Sequence, residues 1–483
     1  MQKSLSKNAI LNCVKTLMSI IFPLITYPYI TRVLQPEYLG KINYANSIVS
    51  YYSLIAALGI STYAVREVAK CRNNREKLNT LVNEIFTVNM ITTGIAYILL
   101  ILTLGLVVEL RAYISLVLIL SLSIIFTTLG VDWINSAFED YFIIAVRSIA
   151  VQCINLILVF CLVQSQEDYY RYAFLMVFTN IVICAWNFIY CRRYVSIRLT
   201  KRCCFLKHIK YLLVFFANNL AITIYCNSDS TMIGWFVGDA CVGIYSVAVK
   251  VYTIIKSLLA AVYSVCIPRL SNLYANNQAK EANNLITSIV NCLMLVLFPA
   301  MAFLIIMAKP IIMILAGNSY IDGAFTLQLL SIALLFAILG GVVTNCINIP
   351  TGKEKITLKA TVFAAVVNVG LNFVLIPMYK QNGAAITTII AEMIVLGSCV
   401  MFNKKVLSIL NWKTLCTNFL HAGFGGILIL IIGITAKAKI NSSLLQLVAT
   451  AFFAMIAYCS VLLVVRNEFA LAMLQIVKKI IKK

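Results

Sequence analysis

The sequence predicts an all-α polytopic membrane protein with two six-helix lobes and an additional C-terminal helix pair. Of its 483 residues, 62% are hydrophobic and only 12% are charged, and the mean hydropathy is +0.94. A soluble chain of this length needs far more polar surface. The apolar residues also form about fourteen runs, each near the roughly 20 residues that cross a bilayer as a helix. These observations place the chain among polytopic membrane proteins.

The fourteen predicted spans are joined by short outer loops, and no soluble domain is inserted between them. The last two spans are the least regular, so twelve spans remain an alternative. The first apolar run is long and lacks a small-residue cleavage pattern, which predicts a span rather than a signal peptide. The predicted limits are 8–31, 42–63, 81–108, 112–130, 142–164, 170–192, 209–237, 242–267, 284–307, 324–350, 355–377, 382–402, 415–436 and 443–466.

The basic residues follow the predicted topology. With the N-terminus inside, the inner segments carry 27 Lys and Arg residues and the outer loops carry 8. This asymmetry is the positive-inside rule, and it predicts that both termini are cytoplasmic. The net charge of +22 therefore reflects orientation in the membrane, and no nucleic-acid partner is expected.

Cysteine and histidine give no sign of a disulfide framework or a metal site. The 16 cysteines are scattered, mostly within spans, and no CxxC pair occurs. We expect them to act as small hydrophobic residues. His208 and His421 are far apart in the sequence and have no flanking carboxylates, so no metal or other cofactor is predicted.

The longest polar connector follows span 6 and has the sequence RRYVSIRLTKRCCFLKHIK. It predicts a basic cytoplasmic linker, 196–208, between an N-lobe, 1–195, and a C-lobe, 209–405. An ordinary basic loop between consecutive spans would look the same. Residues 406–466 form the predicted extra helix pair. The tail, 467–483, is predicted to be a basic amphipathic helix on the inner leaflet.

A short internal repeat supports the two lobes. LQPEYLG, from Leu34 to Gly40, follows span 1, and VGDACVG, from Val237 to Gly243, follows span 7. The two heptapeptides share aliphatic first and sixth residues and a final glycine. Parallel repeats are a transporter feature, with the substrate site at the interface between the repeats.

Polar residues at helical spacing mark a protected or wet face on several spans. In spans 1 and 8 such a stripe has a lysine at its centre, Lys15 or Lys250, and each lysine costs about 2.5–3.5 kcal/mol on insertion scales. These stripes favour a water-filled cavity over the alternative, in which small polar residues pack helix against helix. The predicted polar lining is Asn12, Ser19, Asn46, Thr253 and Asn368.

Asp229 lies in the otherwise apolar span 7, several residues from either surface. It precedes the turn near Ala240 by about as many residues as Lys250 follows it, so the two depths match to roughly 1.5 Å. One interpretation is a buried ion pair that makes both charges tolerable. The other is a counter-charge or coupling residue whose lysine is claimed by an anionic substrate.

Further charges within or beside the spans have two interpretations each. Lys256 is on another face of span 8, and Glu392 in span 12 is either a proton carrier or a helix-packing acid. Asp132 and Glu139 share a face at the joint of spans 4 and 5. With Arg147 they predict a cytoplasmic gate, and a solvated acidic turn is the alternative.

Four motifs stand at the joints and ends of the predicted spans. In chain order they are YPYITRVLQPEYLG, LGISTYAVREVAK, DWINSAFEDYFIIAVRSI and YCNSDSTMIGWFVGDACVGIYSVAVKV. They resemble the motifs of the polysaccharide repeat-unit flippases (O-antigen and capsule type) of the multidrug/oligosaccharidyl-lipid/polysaccharide exporter superfamily. Gln35 departs from that pattern, which usually has glycine there, so we expect the turn after span 1 to be built differently.

The resemblance implies a V-shaped bundle that exposes a cationic cavity alternately to each side of a bacterial cytoplasmic (inner) membrane. Its implied substrate is an oligosaccharide linked through diphosphate to undecaprenol, for O-antigen (lipopolysaccharide) or capsule biosynthesis. Implied partners are membrane lipid, a polysaccharide polymerase and a chain-length regulator, and no enzymatic activity or cofactor is implied. The residues expected to bind the diphosphate are Lys15, Arg32, Lys250 and Lys256.

Several alternatives remain open from the sequence. A peptidoglycan-precursor flippase or a drug/cation antiporter of the same superfamily would share the fold. A polysaccharide polymerase or a glycosyltransferase is the alternative from another class, although such enzymes usually need longer outer loops. Export of two negative charges through 100 mV gains roughly 4–5 kcal/mol. Proton or sodium coupling is therefore allowed but not required.

Overall fold

The computed structural model describes residues 5–71, 74–138, 140–200, 205–409, 412–465 and 467. The side chains of residues 5–16 are outside the described set. All regular secondary structure in the described residues is helical. The chain forms two compact units, Met1–Gly243 and Ile244–Lys483.

The first unit is built from eight helices within the described residues, with a 3₁₀ turn before α4 and another before α7. The turns span Val108–Tyr113 and Gln166–Asp168. The helices are α1 (Leu5–Ala57), α2 (Ile60–Cys71), α3 (Arg75–Leu106), α4 (Ile114–Gly130), α5 (Asp132–Ala137), α6 (Tyr141–Leu162), α7 (Tyr169–Cys191) and α8 (Phe205–Phe236).

α1 contains two membrane crossings. Its helical backbone is interrupted at Gln35, which has φ 59° and ψ 170°. Before this break the Tyr29 hydroxyl donates to the carbonyl of Val163 at 2.7 Å, and after it the Tyr38 ring lies 5.0 Å from that of Tyr169. Val163 and Tyr169 flank one turn, so the chain reverses direction at Gln35.

The reversal confirms the predicted number of crossings. Thirteen helices in the described residues are long and apolar enough to cross a membrane, and the first, Leu17–Cys71, has 55 residues. A straight helix of that length would extend about 80 Å, far beyond a hydrocarbon core of about 30 Å. Counting its two halves separately gives the fourteen crossings of the predicted all-α polytopic fold.

The two repeated heptapeptides pack against each other within the first unit. A Cβ atom on Gly40 would lie 1.8 Å from the carbonyl oxygen of Asp239, and one on Gly243 would lie 2.0 Å from that of Pro36. Pro36 and Asp239 occupy equivalent places in the repeat, as do Gly40 and Gly243. The contact is therefore reciprocal, and both glycines are required because the backbones touch.

The turn after the first crossing keeps the conformation expected of glycine. Gln35 aligns with Gly238 in the repeat, and the two residues have φ 59° and φ 120°. Gln35 thus adopts a positive φ as its glycine counterpart does, and a different construction of this turn stays a prediction. The non-glycine residue bears the strain of that conformation.

Part of the predicted linker is bound along α3. Backbone N–H groups of three alternate residues donate to side chains one helical turn apart: Ser196 to Asn79 at 3.0 Å, Arg198 to Asn83 at 2.8 Å, and Thr200 to Thr87 at 3.0 Å. An extended segment rises about 6.6 Å per two residues and α3 about 6 Å per four residues, so the bonds stay in register. We refer to 196–200 as the strap.

The first unit extends beyond the predicted N-lobe. α8 packs against α1 and α2, and the compact unit ends at Gly243. α1 also packs against α3, α4 and α6, while α4 and α6 each pack against α7. α1 is therefore the central element of this unit.

The second unit contains the rest of α9, which begins in the first unit, and the helices that follow. A π-helical turn, Val343–Asn348, follows α12. The helices are α9 (Asp239–Ser264), α10 (Ile267–Ala275), α11 (Ala279–Ala316), α12 (Gly323–Val342), α13 (Glu354–Tyr379), α14 (Gln381–Phe402), α15 (Lys405–Ile409), α16 (Trp412–Lys439) and α17 (Ser443–Val464).

The C-terminal helix pair, α16 and α17, packs on α11. A chain of buried amides joins these elements: Asn418 donates to Asn291 at 2.8 Å, and Asn467 donates to Asn418 at 2.6 Å. Such bonds hold membrane helices together because an unpaired amide is costly in hydrocarbon. Beyond Asn467, the predicted amphipathic tail lies outside the described residues.

Candidate functional site

The first charge cluster lies at the joint between α4 and α5. Val131 takes a left-handed conformation, φ 42°, and ends α4 so that Asp132 begins α5. Arg147 of α6 is 1% exposed and donates from Nη2 to Asp132 Oδ1 at 2.9 Å. A buried guanidinium requires such a partner because removing its charge from water is expensive. The Asp132 side chain remains 59% exposed.

Neighbouring polar side chains extend this cluster to α7. Asn187 donates to Asp132 and accepts from Asn135 at 2.8 Å. Asp140 accepts hydrogen bonds from Tyr190 and Tyr194, also near the end of α7. The structure thus brings together two of the three predicted gate residues, Asp132 and Arg147. Glu139, the third, lies outside the described residues.

The second charge cluster joins α9 to α14. Lys256 Nζ lies 2.7 Å from Glu392 Oε1, and the Tyr252 hydroxyl donates to the same oxygen at 3.2 Å. The Lys256 ammonium also lies 5.4 Å from the centre of the Tyr252 ring, within range of a cation–π interaction. Sequence reasoning treated Lys256 and Glu392 separately, whereas the structure pairs them. Lys256 keeps 34% of its side chain exposed.

Asp229 and Lys250 are placed in different compact units, so their pairing stays a prediction. Asp229 is 5% exposed and lies on α8, two residues before Thr231, which hydrogen-bonds to Ser47 and Tyr51 of α1. Lys250 is partly buried on α9. Asp229 is therefore embedded in a polar stretch of the α1–α8 contact.

The remaining predicted site residues fall into three groups. Arg32, Ser19 and Asn46 on α1 are exposed, and so is Thr253 on α9. Asn368 is buried on α13, where Asn372 donates to it at 3.4 Å and Thr387 of α14 in turn donates to Asn372. The positions of the Lys15 and Asn12 side chains are outside the described set. Arg32 donates to the carbonyl of Pro28 at 3.2 Å.

Sequence reasoning missed a polar network in the second unit. Lys353 donates to Asn403 at 2.9 Å, and Asn403 donates to Asn348 of the π-helical turn at 2.9 Å. Asn348 and Asn403 are buried. The Asn135–Asn187 bond of the first unit has the same form, since both pairs tie an inter-helix joint to the end of a later helix. A search for asparagines at equivalent joints could have found this network.

A second feature that sequence reasoning missed surrounds His208. Its Nδ1 lies 2.8 Å from the Tyr63 hydroxyl, and its Nε2 lies 3.0 Å from Glu84 Oε2. Glu84 is 124 residues away in sequence, so no local pattern could show it. Among the described residues, no group of three His, Cys, Asp or Glu side chains is placed to hold a metal ion.

Comparison with known sequences gives a match to a family model described as polysaccharide biosynthesis protein, over residues 5–274. A candidate O-antigen transporter of Escherichia coli strain K12 is 22% identical over 84% of this chain and 98% of its own. A candidate low-salt glycan biosynthesis flippase of Haloferax volcanii is 25% identical over 49% of each chain.

Comparison with solved structures identifies the fold. The lipid II flippase MurJ, in an inward closed conformation, matches with a TM-score of 0.75 and 16% identity, covering 94% of this chain and 98% of its own. An inward-facing multidrug resistance transporter of the MATE family matches with a TM-score of 0.64 and 15% identity, covering 83% and 98%. At these identities the likeness concerns the fold alone.

Proposed function

This chain belongs to the polysaccharide biosynthesis protein family, and from that premise we propose that it flips undecaprenyl-diphosphate-linked oligosaccharide repeat units from the cytoplasmic to the outer leaflet. The observation that carries the proposal is the similarity to a candidate O-antigen transporter over 84% of this chain and 98% of that one. The product would serve O-antigen or capsule biosynthesis. We place the protein in the bacterial cytoplasmic membrane with both termini inside, as its charge distribution predicts.

The physical problem that such a protein solves is the transfer of a polar headgroup through hydrocarbon. The sugar and the diphosphate cannot cross unaided, because each unpaired polar group costs several kcal/mol there. The prenyl chain can remain in lipid beside the protein. In the proposed mechanism Lys15, Arg32, Lys250 and Lys256 bind the diphosphate, and hydroxyl and amide side chains bind the sugar.

Counter-charges hold the cationic groups before substrate arrives. Glu392 pairs with Lys256 at 2.7 Å in a site where the lysine remains partly exposed. We propose that the substrate phosphate competes with Glu392 for this lysine, and that Asp229 has a similar relation to Lys250. The Asp132–Arg147 pair would act as the cytoplasmic gate. No bond of the substrate is broken in this cycle.

Lys250 provides the most direct test of the site. Lys250→Ala is expected to abolish surface polysaccharide while the protein still reaches the membrane, and Lys250→Arg is expected to be partly active because it keeps the charge. Export is measured as surface polysaccharide in a deletion strain that carries each variant. Full activity of Lys250→Ala would exclude this lysine from the mechanism.

Deletion of the gene separates the proposed function from its alternatives. We expect loss of O-antigen or capsule, accumulation of the lipid-linked repeat unit inside, and normal growth and drug sensitivity. A lethal deletion would support a peptidoglycan-precursor flippase, and increased drug sensitivity would support an antiporter. Sugar transfer by the purified protein would instead indicate a polymerase or a glycosyltransferase. A polymerase and a chain-length regulator are the proposed partners, and co-purification tests them.

A further inference from the structure

The first unit contains a cavity whose aromatic lining includes none of the predicted site residues. Its volume is about 210 Å³, and it lies between the second crossing of α1, the end of α3, the 3₁₀ turn that follows α3, and α8. The lining residues are Tyr44, Ile48, Tyr51, Tyr52, Thr103, Val107, Glu109, Leu110, Thr231 and Trp235.

The aromatic walls are fixed before any ligand binds. The Tyr44 ring packs against Gly234, where a Cβ atom would come within 2.1 Å of it, and meets the edge of the Tyr113 ring at 5.0 Å. Tyr52 donates to Thr103 Oγ1 at 2.7 Å, and the Tyr51 hydroxyl lies 3.1 Å from Thr231 Oγ1. Such preorganisation lowers the entropic cost of binding.

The hydroxyl hydrogen bonds determine what the cavity offers to a ligand. Thr103 donates its own proton to the carbonyl of Leu99 at 2.9 Å, and Thr231 donates to that of Asn227 at 3.0 Å. The phenol proton of Tyr52 is therefore directed at the Thr103 oxygen, which leaves the lone pairs of this phenol as acceptors. Glu109 is exposed at the rim and accepts as well.

This chemistry matches a sugar ring better than a phosphate. A pyranose has an apolar C–H face that packs against the electron-rich face of an aromatic ring, and hydroxyl donors at its edge. Among the described residues that line the cavity, none carries a positive charge, and Glu109 would repel an anion. Cavities for drug-sized ligands are larger, about 300–1,000 Å³, so this one suits a single ring.

We propose that this cavity is a saccharide subsite that binds one neutral sugar ring of the transported repeat unit. The inference rests on the proposed function for the origin of the sugar. The topology predicted from charge places this end of the unit on the outer side, so the subsite would receive the sugar on the product side. Tyr44, Tyr51, Tyr52 and Trp235 supply the stacking faces, and Glu109 accepts from ring hydroxyls.

The test is direct binding to the purified full-length chain in detergent, followed by tryptophan emission, since Trp235 lines the cavity. The probes are glucose, galactose, rhamnose and N-acetylglucosamine. We expect a saturable change at millimolar concentration with at least one of them. Trp235→Phe should remove the signal, whereas Trp186→Phe, which replaces an exposed tryptophan on α7 that does not line the cavity, should keep it.

Substitutions in the cavity are expected to weaken binding in a graded manner. Glu109→Gln should raise the dissociation constant about tenfold or more, because a charged hydrogen-bond acceptor is lost. Tyr51→Phe keeps the ring and should have a smaller effect, about threefold. The matched control is Glu167→Gln, which neutralises an exposed carboxylate in the other 3₁₀ turn of the unit and should change nothing.

Two outcomes would overturn the proposal. One is the absence of a saturable response to every sugar up to tens of millimolar, or a response unchanged in Glu109→Gln. The other is a response to choline or ethanolamine in place of sugars, which would identify an ammonium cage for lipid headgroups. Binding of free sugar requires no transport, so failure of flipping by the unaltered chain would contradict the proposed function separately.

Discussion

At the scale of single residues, substitutions in the Lys256–Glu392 pair measure how much this ion pair contributes to the free energy of unfolding. Glu392 is buried, so Lys256→Met would leave its charge without its lysine partner. We expect a loss of about 3 kcal/mol in the free energy of unfolding, the lower end of the range for buried pairs, because Lys256 is partly exposed. The measurement is unfolding by sodium dodecyl sulphate in mixed micelles.

The double variant Lys256→Met/Glu392→Gln is the control for this prediction. Removing both charges leaves an amide that can still accept from Tyr252, so most of the lost stability should return. The single variant Glu392→Gln completes the comparison. If the stability lost in the double variant equals the sum of the losses in the two single variants, the two residues do not interact. Transport should still fall in the double variant if Lys256 binds the substrate phosphate.

Gln35 bears backbone strain that glycine would not. Its φ of 59° and ψ of 170° lie in a region that is essentially restricted to glycine and costs about 1–3 kcal/mol otherwise. Gln35→Gly loses the 2.7 Å bond from Gln35 Nε2 to the carbonyl of Arg32 and increases the entropy of the unfolded chain. We expect a net gain of about 1 kcal/mol, measured by the same unfolding experiment.

Gln166→Gly is the matched control, since it places glycine in another exposed turn of the first unit where φ is not positive. It should leave stability unchanged or lower it slightly, because glycine has more freedom in the unfolded chain. Equal gains from both substitutions would show that the effect does not arise from strain at Gln35.

At the scale of elements, the strap is held against α3 by hydrogen bonds to three side chains, those of Asn79, Asn83 and Thr87. Asn79→Ala/Asn83→Ala removes two of its three bonds to α3, each worth about 0.5–1.5 kcal/mol. Trypsin should then cleave after the exposed Arg198 about tenfold faster, because local opening limits access. Cleavage is followed by electrophoresis of the purified chain.

Thr80→Ala serves as the control for the strap because it changes α3 on its exposed side, where Thr80 bonds only within its own helix. The cleavage rate of this variant should equal that of the unaltered chain. If the double asparagine variant is cleaved no faster, the strap is held by other contacts, such as the burial of Val195.

The helices could be predicted from sequence because apolar length is a local property. Span 5, predicted at 142–164, is α6 at Tyr141–Leu162, and span 6, predicted at 170–192, is α7 at Tyr169–Cys191. The partners of side chains could not be predicted in the same way. Glu392 lies 136 residues from Lys256, and only the tertiary fold of the second unit brings their side chains together.

Two further features are visible in the sequence, although their structural reason is not. The shared glycine of the two heptapeptides, Gly40 and Gly243, indicated a repeat, and the structure gives its physical reason as reciprocal backbone contact. The polar spacing of Asn79, Asn83 and Thr87 repeats every four residues, which indicates one face of α3. The strap covers this face as an extended segment, and the sequence of the strap does not indicate that it binds there.

At the scale of the whole molecule, the membrane potential is a sufficient driving force for the proposed transport. A substrate with two negative charges that leaves an inside-negative compartment through 100 mV gains roughly 4–5 kcal/mol. In proteoliposomes with a potassium diffusion potential of that size, the ratio of outer to inner substrate should therefore shift on the order of a thousandfold. Accessibility of a labelled lipid-linked oligosaccharide to an external glycosidase measures the ratio.

A monophosphate-linked analogue is the matched control, because it carries about half the charge and should shift half as far on a logarithmic scale, roughly fiftyfold or less. Equal shifts for both lipids would show that substrate charge does not set the driving force. If the ratio of outer to inner substrate instead follows a pH gradient, the protein itself must carry protons. Asp229→Asn then decides whether Asp229 is the coupling residue: a variant that still flips but no longer responds to pH identifies it, and an unchanged pH response excludes it.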